Sequence, residues 1–269
     1  MTTLAPLSQG LPGAQAPHGH RIGIDVGGTG IKYAVVDTTD GTLAGPLRQI
    51  PTPQPATPGA VADLLAQLVV ELTAEAADPQ PALPVGVALP AIIRHGVARS
   101  AANIDRGWIG LDANALFARR LRRRTQVIND ADAAGLAEVR YGAGRGSTGV
   151  VLVITLGTGI GSALFVEGRL LPNTELGHLE IGGFPAETRA SAVARELEGL
   201  DWKDYAGRLQ QYLSHVEFLF SPDLIIVGGG ISARCRDFLP HLDLRTRIIP
   251  AELRNAAGVV GAAVHGLQC

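Results

Sequence analysis

At 269 residues, 46% of them hydrophobic, the chain has apolar material for one large domain or two modest ones sharing a cleft. Its formal net charge of −2 gives no global case for nucleic acid or an anionic membrane as partner. Only two cysteines occur, Cys235 and Cys269, without a C-x-x-C partner, so neither a disulfide framework nor a thiolate zinc site is indicated and a reducing cytoplasm fits best.

Residues 1–20 carry Pro6, Pro12 and Pro17 but no charged stretch followed by an apolar core, so they read as a disordered tail, not a signal peptide. No apolar run reaches the roughly 20 residues that span a bilayer, which predicts a soluble protein.

Residues 21–37 read as two strands joined by a glycine turn. Gly27 and Gly28, lacking a Cβ, can adopt positive φ and let their amides approach a ligand closely. With Thr29 and Lys32 beside them, such a run of N–H groups suits phosphate oxygens. Asp25 would repel a naked anion, so its place makes sense if Mg²⁺ lies between carboxylate and phosphate. The alternative is an ordinary hairpin in which Asp25 and Thr29 satisfy the turn.

A third strand is expected over 43–50, then an extended proline-rich segment, Pro51-Thr52-Pro53-Gln54-Pro55-Ala56-Thr57-Pro58. Thr57 and Pro58 open an amphipathic helix that the spacing carries to about Ala77. Residues 84–90 form a buried strand. The connector after it holds Arg94, His95, Arg99, Asn103 and Trp108, where Asn103 either bonds a ligand hydroxyl or stabilises a turn. A helix over 111–124 ends in Arg119, Arg120, Arg122, Arg123 and Arg124, cations that either attract a polyanion or complement the helix dipole.

Val127 and Ile128 make a short buried strand that delivers Asn129 and Asp130 to its rim, where a helix begins. Asp130 is either a helix cap or a functional carboxylate. Residues 150–166 then echo the first unit: apolar strand, a turn of Gly157, Thr158 and Gly159 after Thr155, apolar strand. Two such turns, one per half, suggest a duplicated α/β architecture whose phosphate cradle closes from both sides of a cleft. Neither turn leads into a helix, which disfavours a dinucleotide fold.

Glu175, His178 and Glu180 gather polar groups suited to a polyol; a metal site and plain surface polarity are the alternatives. The pattern over 187–216 is helical, with Trp202, Tyr205, Leu209, Tyr212 and Leu213 read as packing. A strand over 221–232 ends in Gly228, Gly229 and Gly230, where a nucleotide or a helix can lie against backbone. Residues 258–267 form a small, apolar, packed helix.

Taken in order, Asp25-Val26-Gly27-Gly28-Thr29, Asn129-Asp130, Leu156-Gly157-Thr158-Gly159-Ile160-Gly161, Glu175-Leu176-Gly177-His178 and Gly228-Gly229-Gly230 resemble the ROK sugar kinases, which have the actin-like ATPase (ribonuclease H-like) fold. The proline-rich segment, Ala101-Ala102-Asn103-Ile104-Asp105, the residues following Asn129 and the segment Asn173-Thr174-Glu175 narrow the resemblance to the polyphosphate glucokinase branch. It implies two lobes, 21–128 and 129–269, with the last helix free to pack back on the first. It implies that Asp130 is the base at a sugar 6-hydroxyl, that Asn103, Asn129, Glu175, His178 and Glu180 hold other hydroxyls, and that the glycine turns hold phosphates.

Many ROK members carry a cysteine-rich zinc motif after the Glu-x-Gly-His segment. This chain has Gly182-Gly183-Phe184 instead, so His178 is expected to be a sugar ligand. Residues 1–20 offer no room for the DNA-binding helix pair of ROK repressors. The expected activity is Mg²⁺-dependent phosphoryl transfer from polyphosphate, with ATP as a further donor, to glucose, for which a base with an ordinary carboxylate pKa near 4 could suffice. A strictly ATP-dependent ROK hexokinase and a non-catalytic sugar sensor are the alternatives. A polyphosphate chain needs a basic track, for which Arg94, Arg99, Arg145 and the arginine run are candidates, and a homodimer is the default assembly.

Overall fold

In the computed structural model, which describes residues 19–74 and 83–265, a strand–turn–strand unit opens each half of the chain and seeds a five-stranded sheet. In the first half β1 (His20–Val26) pairs antiparallel with β2 (Gly30–Asp37), placing Asp25 opposite Lys32. The third strand, β3 (Arg48–Pro51), is shorter than expected. Pro46 has no N–H to offer a ladder, and Leu43 makes only an isolated bridge to Val36.

Helix α1 (Pro58–Ala74) begins where the Thr57 hydroxyl accepts the Ala60 N–H; its expected last turn at Ala77 lies outside the described residues, as do residues 1–18. Strand β4 (Val85–Leu89), the small hairpin of β5 (Ile93–Arg94) and β6 (Val97–Ala98), helix α2 (Ala113–Leu121) and strand β7 (Thr125–Asn129) follow. Helix α2 stops three residues short of the expectation, because Arg122 turns into the left-handed region at φ 51° and redirects the chain into β7. Helix α3 (Asp130–Tyr141) then links the halves.

The second half holds β8 (Val150–Leu156), β9 (Ile160–Val166), β10 (Arg169–Leu171), the short pair β11 (Glu180–Ile181) and β12 (Phe184–Pro185), α4 (Glu187–Ala190), α5 (Ala192–Glu198), α6 (Trp202–Phe220), β13 (Leu224–Gly228), α7 (Cys235–Phe238), β14 (Arg247–Pro250) and α8 (Ala257–His265). The single helical stretch expected over 187–216 is thus three helices. Ser191 interrupts it by accepting the Ala194 N–H as an N-cap, and Gly199 at φ 61° ends α5.

The sheet orders β3-β2-β1-β4-β7 and β10-β9-β8-β13-β14 match position by position, with the same parallel and antiparallel senses. That is a duplicated fold of the actin-like kind. The helix ending each half packs on the other half's sheet: α3 lies against β8 and β9, and α8 against β1 and β4. Between the sheets the two helices touch along their length and share a core with Ala34, Val36, Ile128, Leu136, Val153, Phe165 and Ile226. Two outer cores complete five layers, one beneath α1 and α2, the other beneath α6, where Tyr205, Tyr212 and Phe238 are buried.

Helix α8 can sit so close only because small residues face it. A Cβ on Gly86 would stand 1.8 Å from the Ala262 carbonyl oxygen, and one on Gly23 would stand 2.0 Å from that of Val259. Among the described residues no helix is long and apolar enough to cross a membrane.

Candidate active site

The carboxyl ends of β1, β4, β7, β8 and β13 converge on the seam between the sheets, the usual place for a ligand in an α/β fold. The first residue of α3 there is Asp130. The cap of that helix is its neighbour: the Asn129 side chain accepts the Asp132 N–H at 3.0 Å and donates to the Ala91 carbonyl at 3.1 Å. Asn129 is 6% exposed, so much of the amide expected to hold a sugar hydroxyl is engaged by protein. With capping satisfied, the Asp130 carboxylate accepts the Ala131 N–H at 2.9 Å and lines a cavity of about 160 Å³.

That cavity gathers Asp25, Lys32, Asp130, Thr155, Gly228, Gly229 and Gly230, seven of the residues singled out from sequence, along with Arg254 and Gly258. Lys32 Nζ lies 3.8 Å from Asp25 Oδ2. Burial, then the charges of Asp25 and Glu175, push the Asp130 carboxyl up to about 7, well above the ordinary value near 4 that sequence alone suggested. Burial also raises Asp25 against the opposing pull of Lys32.

The two glycine turns have matching cores: Gly27 N–H donates to Gly30 O at 2.9 Å, and Gly157 N–H to Gly159 O at 3.0 Å. The expectation of positive φ at Gly27 and Gly28 fails; neither adopts it. Crowding is what requires glycine at 28, since a Cβ there would come within 2.8 Å of Asn103. Asn103, itself left-handed at φ 59°, therefore packs against the first turn. The proline-rich segment braces the same turn: Thr52 Oγ1 donates to Gly27 O at 2.6 Å, and Gln54 Nε2 to Gly28 O at 3.0 Å. Thr29 and Thr158 are exposed at the turn tips. Gly229 does need its positive φ of 82°, and its Cβ would stand 2.3 Å from the Leu156 carbonyl oxygen.

On the other flank, His178 Nε2 lies 3.8 Å from Glu175 and Nδ1 lies 3.4 Å from Glu187. Burial raises the Glu175 carboxyl. Glu180 is exposed on β11 and, among the described residues, makes no ion pair. Glu187 escaped the sequence reading, yet its other oxygen accepts the Ile160 N–H at 3.2 Å and so ties the His178 segment to the second glycine turn.

Asp132 also escaped it. Only 1% exposed, it accepts the Asn173 N–H at 2.7 Å, while the Asn173 side chain grips Ile93 through both backbone groups. Burial pushes Asp132 up to about 7, with Glu175 adding to the rise and the Asn173 N–H opposing it.

The basic residues proposed from sequence stand elsewhere. Arg94, Arg99, Arg145 and the run from Arg119 to Arg124 do not line the cavity, and Arg120 pairs with Asp63 on α1.

The ROK family model matches residues 21–196. A polyphosphate glucokinase of Mycobacterium tuberculosis (strain CDC 1551 / Oshkosh) is 45% identical over 265 residues, covering 98% of this chain and 97% of that one. The crystal structure of an inorganic polyphosphate/ATP-glucomannokinase from Arthrobacter sp. strain KM superposes with a TM-score of 0.89 at 60% identity, over 93% of this chain and 99% of that one. A ROK family glucokinase from Streptomyces griseus, in complex with glucose and AMPPNP, shares the fold at a TM-score of 0.76 and 24% identity, over 93% of this chain and 100% of that one. The chain belongs to the ROK family, on its polyphosphate glucokinase branch.

Proposed function

We propose that this protein transfers the terminal phosphoryl group of inorganic polyphosphate, or of ATP, to the 6-hydroxyl of glucose. The observation that carries the reading is the setting of Asp130. Its carboxyl is uncapped and enclosed, close enough to Asp25 on the cavity side and to Glu175 on the polar side to be raised by both charges. One carboxylate thus faces both a phosphate cleft and a set of hydroxyl-binding groups. The near full-length likeness to a polyphosphate glucokinase and to a polyphosphate/ATP-glucomannokinase supports the same conclusion.

In this reading Asn103, Glu175, His178 and Glu180 orient the sugar, with the remaining Asn129 N–H. Asp130 accepts the 6-hydroxyl proton as the oxygen–phosphorus bond forms and the bridging bond to the next phosphate breaks. Lys32 and the amides of Gly28, Thr29, Thr158 and Gly159 offset charge on the transferring and leaving phosphates, while the N–H groups of Gly27 and Gly157 close the two turns and hold those amides in place. Thr155, Gly228 and Gly229 form the wall on which a nucleotide donor rests.

Mg²⁺ suits the donor set beside Asp25. Among the described residues no three acidic, His or Cys side chains gather to hold a metal alone, and Mg²⁺ characteristically takes one or two carboxylates with substrate phosphates and water. Bound there, it would supply charge neutralisation between Asp25 and the donor. Assembly as a homodimer belongs to the same proposal.

The test is a coupled assay for glucose 6-phosphate with Mg²⁺ and either donor. Turnover with both is the expected result. Turnover with ATP alone would make the protein an ATP-dependent hexokinase, and sugar binding without turnover would make it a sensor. Mannose should be run beside glucose, because the Arthrobacter enzyme is a glucomannokinase.

A further inference from the structure

Next to the donor cavity lies a second, larger one of about 760 Å³, bounded by Ser232, Ala233, Cys235 and Arg236 on one side and by Arg247, Ile249 and the loop 250–254 on the other. The two cavities meet at Ala251 and Arg254, which line both. The larger one carries three guanidinium groups, Arg236, Arg247 and Arg254, against a single carboxylate, Glu252.

The pairing of the arginines in this part of the chain follows their relation to the cavity. Arg234 and Arg245, which do not line it, are bound to Asp237 and Glu217. Arg236, Arg247 and Arg254 form no ion pair or side-chain hydrogen bond among the described residues. Unpaired cations sharing one concavity raise the local potential for a polyanion.

The junction is also held in place. The buried carboxylate of Glu138 accepts the Leu253 N–H at 2.7 Å and the Glu252 N–H at 3.1 Å, and Ala251 N–H donates to Val227 O at 2.9 Å. Arg254 itself stands at φ 49°, a conformation L side chains rarely adopt. The loop is therefore clamped in the form that sets this residue between the two cavities.

We infer that the second cavity is the track for the distal phosphates of an extended polyphosphate chain, with Arg254 at its mouth and Arg236 and Arg247 along it. The inference rests on the phosphate-donor reading of the first cavity. It replaces the arginines proposed from sequence with three brought together by the fold from separate segments. A chain with one charge per phosphate unit gains contacts here in proportion to its length, which neither ATP nor a short phosphate oligomer can do.

The experiment compares the parent protein with Arg236→Gln, Arg247→Gln and the double variant, both positions lying outside the first cavity. Initial rates are taken with long-chain polyphosphate, tripolyphosphate and ATP at saturating glucose. Direct retention of labelled long-chain polyphosphate is measured without glucose across a salt series.

The double variant should lose about 10-fold in kcat/KM for the long chain and keep ATP and tripolyphosphate within about 2-fold. Its salt dependence of binding should flatten by about 0.7 per arginine removed, as for a flexible single strand. Equal losses with all three donors, or binding unchanged by both substitutions, would overturn the track. Absence of parent turnover with polyphosphate would instead strike the donor reading, while the binding series would still decide the track.

Discussion

Asp130 illustrates what one residue owes to its neighbours. Were it the helix cap, its oxygens would be spent on backbone; Asn129 takes that part and frees it. Replacing Asp130 with Asn should lower kcat by roughly 10²–10⁴-fold, the usual contribution of an acid–base group, with little change in sugar affinity. Because burial holds the carboxyl up to about 7, the base proposed here ionises in the free enzyme only as pH rises to that value. The profile of kcat/KM for glucose should climb with pH and level off above about 7; a flat profile from about pH 5 to 9 would take the role away from Asp130.

The same shift has a cost in stability, with a definite sign. An unfolded aspartate titrates near 4, so between about 4 and 7 the unfolded chain ionises while the native carboxyl does not, and native stability falls as pH rises. Asp130→Asn should therefore melt higher than the parent at about pH 8, with the difference closing toward about pH 4, as calorimetry would show. Asp132 shares the direction of this effect, so Asp130→Asn removes only part of it.

At the scale of elements, the site is two strand–turn–strand units and the segments that brace them. Their periodicity and glycine turns were legible in the sequence because a strand alternates every two residues and a turn concentrates small ones. The bracing was not. Glu187 looks like one more acidic residue opening a helix, and only the folded turn brings Ile160 N–H to one of its oxygens and His178 to the other. Glu187→Ala should accordingly raise KM for sugar and for donor together, whereas His178→Ala should raise the sugar KM alone; steady-state kinetics with each substrate varied in turn separate the two. The breaks at Ser191 and Gly199 were present as cap residues, but the helical apolar spacing runs through them and masked the interruption.

At the scale of the molecule, duplication was readable, whereas the return of the last helix to the first half came only from the family resemblance, since nothing in the composition of 257–265 says which sheet it will cover. The signal lay in Gly23 and Gly86, interior strand glycines that otherwise weaken a sheet. Gly86→Ala would drive a methyl group into the Ala262 carbonyl. Such overpacking costs about 1–3 kcal/mol, a fall of roughly 3–10 °C in Tm for a chain of this size. An unchanged melting temperature would mean that α8 shifts away without penalty. The arginines of the second cavity were equally hidden, because they come from segments that only β13, β14 and the loop after them draw together.

The crossing of α3 and α8 carries one more consequence. A Cβ on Gly261 would lie 1.7 Å from the Ala133 carbonyl oxygen, so the helices meet backbone to backbone, with no side chains between them to yield. Each helix is rooted in one half and seated on the other, so a swing of the halves would move the pair against each other at this contact, like the blades of shears at their rivet. Asp130 begins one blade, and near the start of the other a Cβ on Gly258 would stand 2.6 Å from Asp25 Oδ2. Opening and shutting would thus adjust the separation of Asp25 and Asp130, so that in the proposed reaction admitting substrate and acting on it would share a single axle.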